Sequence, residues 1–221
     1  MIHRSALITS VIVILFSAML AASTGSLEYV DSILDLTTGY YPQALQLSSD
    51  AIPGLTEPDY SGTPMYATLT LGDARFALVV DQDGDNGRLY ADVDASKSLV
   101  PIDWIQQLYD GGFLGYATFT IPTDSWTRQY RMFLVWNPST PIAIIYFRDC
   151  YMAGQIELDG ITYKMAVIDE NSDGLFDDLD HDQLLIDIDQ DGKLLASQDS
   201  HERYWLDAPF NIHGTVYEAT S

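Results

Sequence analysis

Polar and apolar side chains alternate along MYATLTLGDARFALVVD, Met65 to Asp81, with a break at Gly72-Asp73. Successive side chains of a strand point to opposite faces, so a period of two interrupted by a turn pair predicts a β-hairpin with one face in a core. The same texture returns in YMAGQIELDGITYKMAVID, Tyr151 to Asp169, around Asp159-Gly160, a favoured two-residue turn. Each hairpin runs into an acidic stretch, DQDGDNG from Asp81 and DENSDG from Asp169. The two copies stand 87 to 88 residues apart, which is an internal repeat of one hairpin plus one acidic loop.

Between the copies, YATFTIP, YRMFLVW and PIAIIYF read as strands separated by Pro, Gly and Ser, and YWL and NIHGTVYEA as closing strands. Short helices are expected near Leu27 to Leu36 and over IDWIQQLY, Ile102 to Tyr109. The fold class is therefore mainly β with little helix, the repeated units forming a β-sandwich or barrel-like domain. Domain organisation reads as a signal peptide over 1–23, an N-terminal arm with a short helix over 24–59, and a β-rich domain over 60–221 whose repeats occupy 60–100 and 150–196.

The leader reading rests on MIHRSALITSVIVILFSAMLAAS: a basic start at Arg4, an apolar run and small residues at Ala21, Ala22 and Ser23. That is the layout of a secretory signal peptide, and it predicts a secreted or periplasmic protein with no membrane insertion after cleavage. Cys150 is the single cysteine, so an intrachain disulfide cannot form even where export would permit one. Composition then narrows the partners. The formal net charge is −22, with 26 Asp and 6 Glu against 3 Lys and 7 Arg, which excludes nucleic acid as a natural partner. A solvated acidic face accounts for charge but not for the preference for Asp over Glu, nor for Asp at alternate loop positions.

Calcium accounts for both. A hard cation takes six to eight oxygens, and an EF-hand-type loop supplies them from positions 1, 3, 5, 7, 9 and 12 with Gly at 6. Counting from Asp169 puts Asp169, Asn171, Asp173, Leu175 through its carbonyl, Asp177 and Asp180 at those positions and Gly174 at 6. Asp in place of Glu at position 12 shortens the bidentate reach. A second loop offers Asp187, Asp189, Asp191 and Gly192, but Leu195 and Gln198 stand at positions 9 and 12, so it reads as a partial site completed from elsewhere. In the first repeat Asp81, Asp83 and Asp85 keep the spacing, Gly87 comes one place late and Asp92 stands at position 12. For the loops at Asp81 and Asp187, an Asp/Gly-rich turn without metal is the competing reading. The expected cofactor is Ca2+, with the Asp169 loop binding most tightly.

The flanks differ from a true EF-hand, since strands rather than helices surround the loops. The run from YSGTPMYATLTLGD through LYADVDAS, YFRDCYMAGQIELDGITYKMAVIDENSDGLFDD and LLIDIDQDGK to APFNIHGTVYE resembles the Asp-rich, EF-hand-like calcium-loop β region that precedes thioredoxin-like domains in some exported bacterial proteins. The resemblance covers most of Tyr60 to Glu218; no Cys-x-x-Cys occurs, so it implies no redox activity. The functional expectation is an exported, non-catalytic calcium-binding structural or interaction module, with an extracellular protein or glycan as its partner. The alternative is a calcium-supported extracellular hydrolase or glycan-binding protein. Against it, no nucleophile elbow or metal-spaced His pair is present, the His181-Asp182 and His201-Glu202 pairs read as exposed loop residues, and Trp104, Trp126, Trp136 and Trp205 read as core rather than sugar platforms.

Overall fold

The computed structural model describes residues 13–15, 26–33, 36–38, 41–108, 111–122, 127–176, 178–197 and 200–220. Among these residues there is no helix, and the strands form several sheets that are antiparallel apart from one parallel pair. The mainly β class expected from the alternation is what the chain adopts. Its residues group into two compact units, one of 1–39, 150–171 and 175–221, the other of 40–149 with 172–174. The stretch 60–221, read from sequence as one domain, is thus divided between them, with one copy of the hairpin repeat in each.

The unit around 40–149 holds two sheets. One runs in chain order through Thr63–Leu71, Ala74–Asp83, Asn86–Ala91 and Val100–Ile102. The other is ordered Gln43–Gln46, Ala143–Arg148, Thr127–Trp136, Phe113–Pro122 and Trp104–Gln107. Phe76 of the first sheet meets Phe119 of the second edge to face, with centroids 5.1 Å apart and both rings fully buried. Each such ring contributes roughly 1.5–3 kcal/mol on leaving water, so this contact belongs to the sandwich core. Ala74–Asp83 is buried on both faces from Phe76 to Asp81, since Phe76 meets Phe119 on one face while Val79 on the other packs with Tyr66 and Tyr90 under Ile52, Leu55, Tyr60 and Leu99, and the near-continuous apolar run FALVV follows.

A close approach locks the second sheet to the first. The Trp104 indole N–H donates to the Gly87 carbonyl at 2.7 Å, and a Cβ at Gly87 would stand 2.3 Å from the Trp136 ring. Trp136 is buried and stacks on Phe113, which in turn packs on Trp104. Gly87→Ala is therefore expected to overpack this site and cost about 1–3 kcal/mol, read as a lower urea midpoint at unchanged m-value.

In the other unit, the five-stranded sheet is ordered Arg203–Trp205, Asp182–Ile186, Ile161–Asp169, Tyr151–Leu158 and Glu28–Val30. The hairpin turn at Asp159-Gly160 has positive φ at both residues, 52° and 77°, as a type I′ turn demands. A cluster of Ile33, Leu36, Tyr151, Ala166, Ile168, Leu185, Leu194 and Ala196 packs together in this unit, and Leu194–Ala196 pairs in parallel with Leu36–Thr38. Thr215–Thr220 pairs with Phe210–Ile212 and with Val13–Leu15.

Two local expectations are corrected. Leu27 to Leu36 is not helical where described: Glu28–Val30 adds to Tyr151–Ala153 as an edge strand, and Leu36–Thr38 is a strand too. Trp104–Gln107, expected within a short helix, instead pairs with Phe113–Gly115. Both runs are short, and strand pairing decides their conformation over any local preference, with a partner far along the chain for Glu28–Val30 and the nearby return strand for Trp104–Gln107.

Candidate functional site

The three acidic stretches fold in three different ways. At Asp81 the chain does not form a twelve-residue loop. Ala74–Asp83 and Asn86–Ala91 pair as far as Asp83 opposite Asn86, leaving Gly84-Asp85 as a two-residue hairpin turn. Asp81 is buried and its carboxylate is taken up locally: Oδ2 accepts from the Ser61 N–H and hydroxyl at 2.8 and 3.0 Å, Oδ1 from the Gly62 N–H at 2.8 Å. Asp83 and Asp85 are exposed. Asp92 is buried and accepts from the Lys97 N–H at 3.0 Å; burial raises its pKa.

At Asp169 the counted positions divide between the units. Asp169, Asn171, Leu175 and Asp180 belong to the 150–221 unit, while Asp173 lies within Ser172–Gly174 of the other, where its carbonyl accepts from the Gly72 N–H at 2.6 Å. Asp177 lies outside the described residues. Asp169 ends its strand fully buried, opposite Asp182. The neighbouring acids are engaged in turn geometry: the Asp182 carboxylate accepts from the Asp178 N–H at 3.0 Å, and Asp178 accepts from the Asp180 N–H and meets His181 Nδ1 at 2.9 Å. Glu170 is bound by Arg203, both of whose contacts to the carboxylate oxygens are 3.1 Å.

The loop at Asp187 brings its acids together. Asp187, Asp189 and Asp191 each place a carboxylate oxygen within 4.8 Å of the others, and Asp189, His201 and Glu202 form a second such group. These are the groups of three or more ligand-type side chains formed among the described residues, and both are built on this loop. The winding follows from its sequence. Asp187 Oδ2 accepts from the Gly192 N–H at 3.0 Å, Asp189 Oδ1 from Asp191 N–H at 3.1 Å, and Asp191 Oδ1 from Lys193 N–H at 2.8 Å. Positive φ at Gln190 and Gly192, 58° and 85°, turns the backbone back on itself. Gln198, counted at position 12, lies outside the described residues.

Negative charge is crowded at this loop. Carboxylate oxygens at 4.8 Å repel by about 3 kcal/mol per pair at an effective dielectric near 20. Two ammonium groups stand at the loop: the exposed Lys193, 3.6 Å from Asp191 in a pair of the kind that contributes little, and Lys164, whose Nζ donates to the Gly192 carbonyl at 3.1 Å. Asp187 is 4% exposed and its Oδ1 makes no hydrogen bond; Glu202 is 1% exposed and its Oε1 makes none either. Burial pushes the Glu202 carboxyl up, the Leu195 N–H opposes that, and the charges of Asp189 and Asp187 push it further up. Two buried oxygens without partners beside further carboxylates are a set that a hard divalent cation satisfies.

Glu202 and Asp182, read from sequence as exposed loop residues, are instead buried, Asp182 because it opens the strand Asp182–Ile186 opposite Asp169; His181 and His201 are exposed as expected. The signal for Glu202 was weak but present: it is the first Glu after Glu170, and it stands two residues before the predicted strand YWL. The tryptophans divide: Trp136 is core, Trp104 half-buried, Trp205 exposed at 45%, and Trp126 outside the described residues. Compared with known proteins, the chain matches no family model, and no curated protein or solved structure shows significant similarity to it.

Proposed function

We propose that this chain is an exported, non-catalytic calcium-binding β-rich module, and that its principal calcium site is the loop of Asp187, Asp189 and Asp191. The observation that carries the reading is the buried Asp187 Oδ1, which has no hydrogen bond and sits in a ring of carboxylates. Asp187, Asp189, Asp191 and Gly192 keep the spacing of positions 1, 3, 5 and 6 of a calcium loop. The preference thereby moves from the loop at Asp169, complete by counting, to the one whose carboxylates meet. Export is supported by the leader-like pattern over 1–23. Calcium here acts on the fold: it offsets the mutual repulsion of the acids and ties the loop to its sheet.

Calcium should accordingly raise the melting temperature and chelator lower it. Extracellular calcium modules bind at about 10⁻⁴ to 10⁻³ M, and a ligand at 100 times its Kd stabilises by about 2.7 kcal/mol per site. Differential scanning fluorimetry in millimolar calcium against excess chelator tests this. Superimposable curves would remove the proposal.

A further inference from the structure

We infer that Glu202, outside the twelve-residue count, closes the calcium site by supplying the carboxylate that position 12 lacks. The inference rests on the calcium reading of the Asp187 loop and deepens it. Position 12 of that loop is Gln198, a neutral amide, so the loop by itself lacks the acidic ligand that normally completes such a site. Glu202 stands fifteen residues after Asp187 in the sequence, and sheet register brings it back. Leu185 pairs with Arg203, and the Ile186 N–H donates to the Glu202 carbonyl at 2.9 Å, which sets Glu202 beside the residue where the loop begins.

Its side chain is then fixed from one end. Oε2 accepts from the Leu195 N–H at 3.0 Å, on the far side of the loop, while the Ser200 hydroxyl accepts from the Glu202 N–H at 3.1 Å. The remaining oxygen, Oε1, is buried without a hydrogen bond, and the carboxylate reaches within 4.8 Å of ligand atoms of Asp189 and His201. A buried, oriented carboxylate with one oxygen to spare, grouped with Asp189 of the loop, has the chemistry of a closing ligand. A consequence is that calcium ties the DIDQDGK loop to the segment leading into Arg203–Trp205, so two stretches of chain become one cooperative element.

Calorimetric titration of the full chain with calcium chloride tests this, using Glu202→Gln, Glu202→Asp and Asp189→Asn beside the unaltered protein. Glutamine keeps an oxygen for the Leu195 N–H and removes the charge. Aspartate keeps the charge and shortens the reach. Both are expected to weaken calcium binding by about tenfold or more, since charge count and ligand placement set affinity in such loops. Glu202→Gln should also melt no lower than the unaltered chain in chelator, because it relieves repulsion from Asp187 and Asp189, while losing most of the calcium-induced rise. Asp189→Asn should weaken binding whichever way Glu202 behaves. Unchanged calcium affinity in Glu202→Gln would overturn the closing role while leaving the loop site standing. Full affinity in Glu202→Asp with a loss in Glu202→Gln would overturn it too, reducing Glu202 to a remote charge. If the unaltered chain takes up no calcium, the loop reading itself fails before the variants are compared.

Discussion

Glu170→Ala is expected to lower the free energy of unfolding by about 3–5 kcal/mol, the cost of leaving a buried charge without its partner. Arg203 Nη2 donates to both Glu170 oxygens at 3.1 Å, and the two side chains are only 6% and 12% exposed. The guanidinium also donates to the Ala196 carbonyl at 3.4 Å and lies over the Trp205 ring, 5.4 Å from its centroid. Removing the carboxylate strands a cation that water cannot readily reach. Equilibrium urea unfolding measures the loss, and a cycle with Arg203→Ala isolates the pair from the packing of its methylenes. A loss below about 1 kcal/mol would place the pair with ordinary surface bridges. Arg203 follows Glu202 directly, so the same substitution should also loosen the proposed calcium loop, giving a weaker Kd with no ligand removed.

The strands were legible because burial and alternation are local. Thr68 and Thr70 are exposed between buried Ala67, Leu69 and Leu71, as the sequence pattern predicts. The helices expected at Leu27 and Ile102 failed because Glu28–Val30 and Trp104–Gln107 are settled by partners elsewhere in the chain, Tyr151–Ala153 and Phe113–Gly115. The acidic loops show a subtler limit. Ligand positions 1, 3 and 5 have the spacing of one face of a strand, so Asp-x-Asp describes a metal loop and a β-ribbon equally well. Asp81 and Asp83 took the second course, in a ladder that runs to Asn86. Asp187, Asp189 and Asp191 instead lie in a loop that turns back on itself, where Gln190 and Gly192 enter the left-handed region. Counting alone could not separate them, nor find Glu202, whose place depends on the register of Leu185 with Arg203.

Asp81→Ala separates those two courses experimentally. Asp81 is 1% exposed, and its carboxylate receives the Ser61 N–H, the Ser61 hydroxyl and the Gly62 N–H, fastening the chain just before Thr63–Leu71 to the strand that pairs with it. Hydrogen bonds to a charged acceptor contribute roughly 1.5–3 kcal/mol, and a buried donor left unsatisfied costs about 1–3 kcal/mol, so alanine is expected to destabilise by about 3 kcal/mol. Asparagine should recover only part of this, because its amide turns an NH2 toward donors where the carboxylate presents a second oxygen. The comparison that matters is between excess calcium and excess chelator. A carboxylate that serves Ser61 and Gly62 produces the same loss in both, since no cation takes part in what it holds. A carboxylate that ligates calcium produces its loss chiefly in calcium, where the unaltered protein gains stability by binding. Equal losses in the two conditions are the expected result. A loss confined to calcium would return Asp81 to the ligand set that its spacing first suggested.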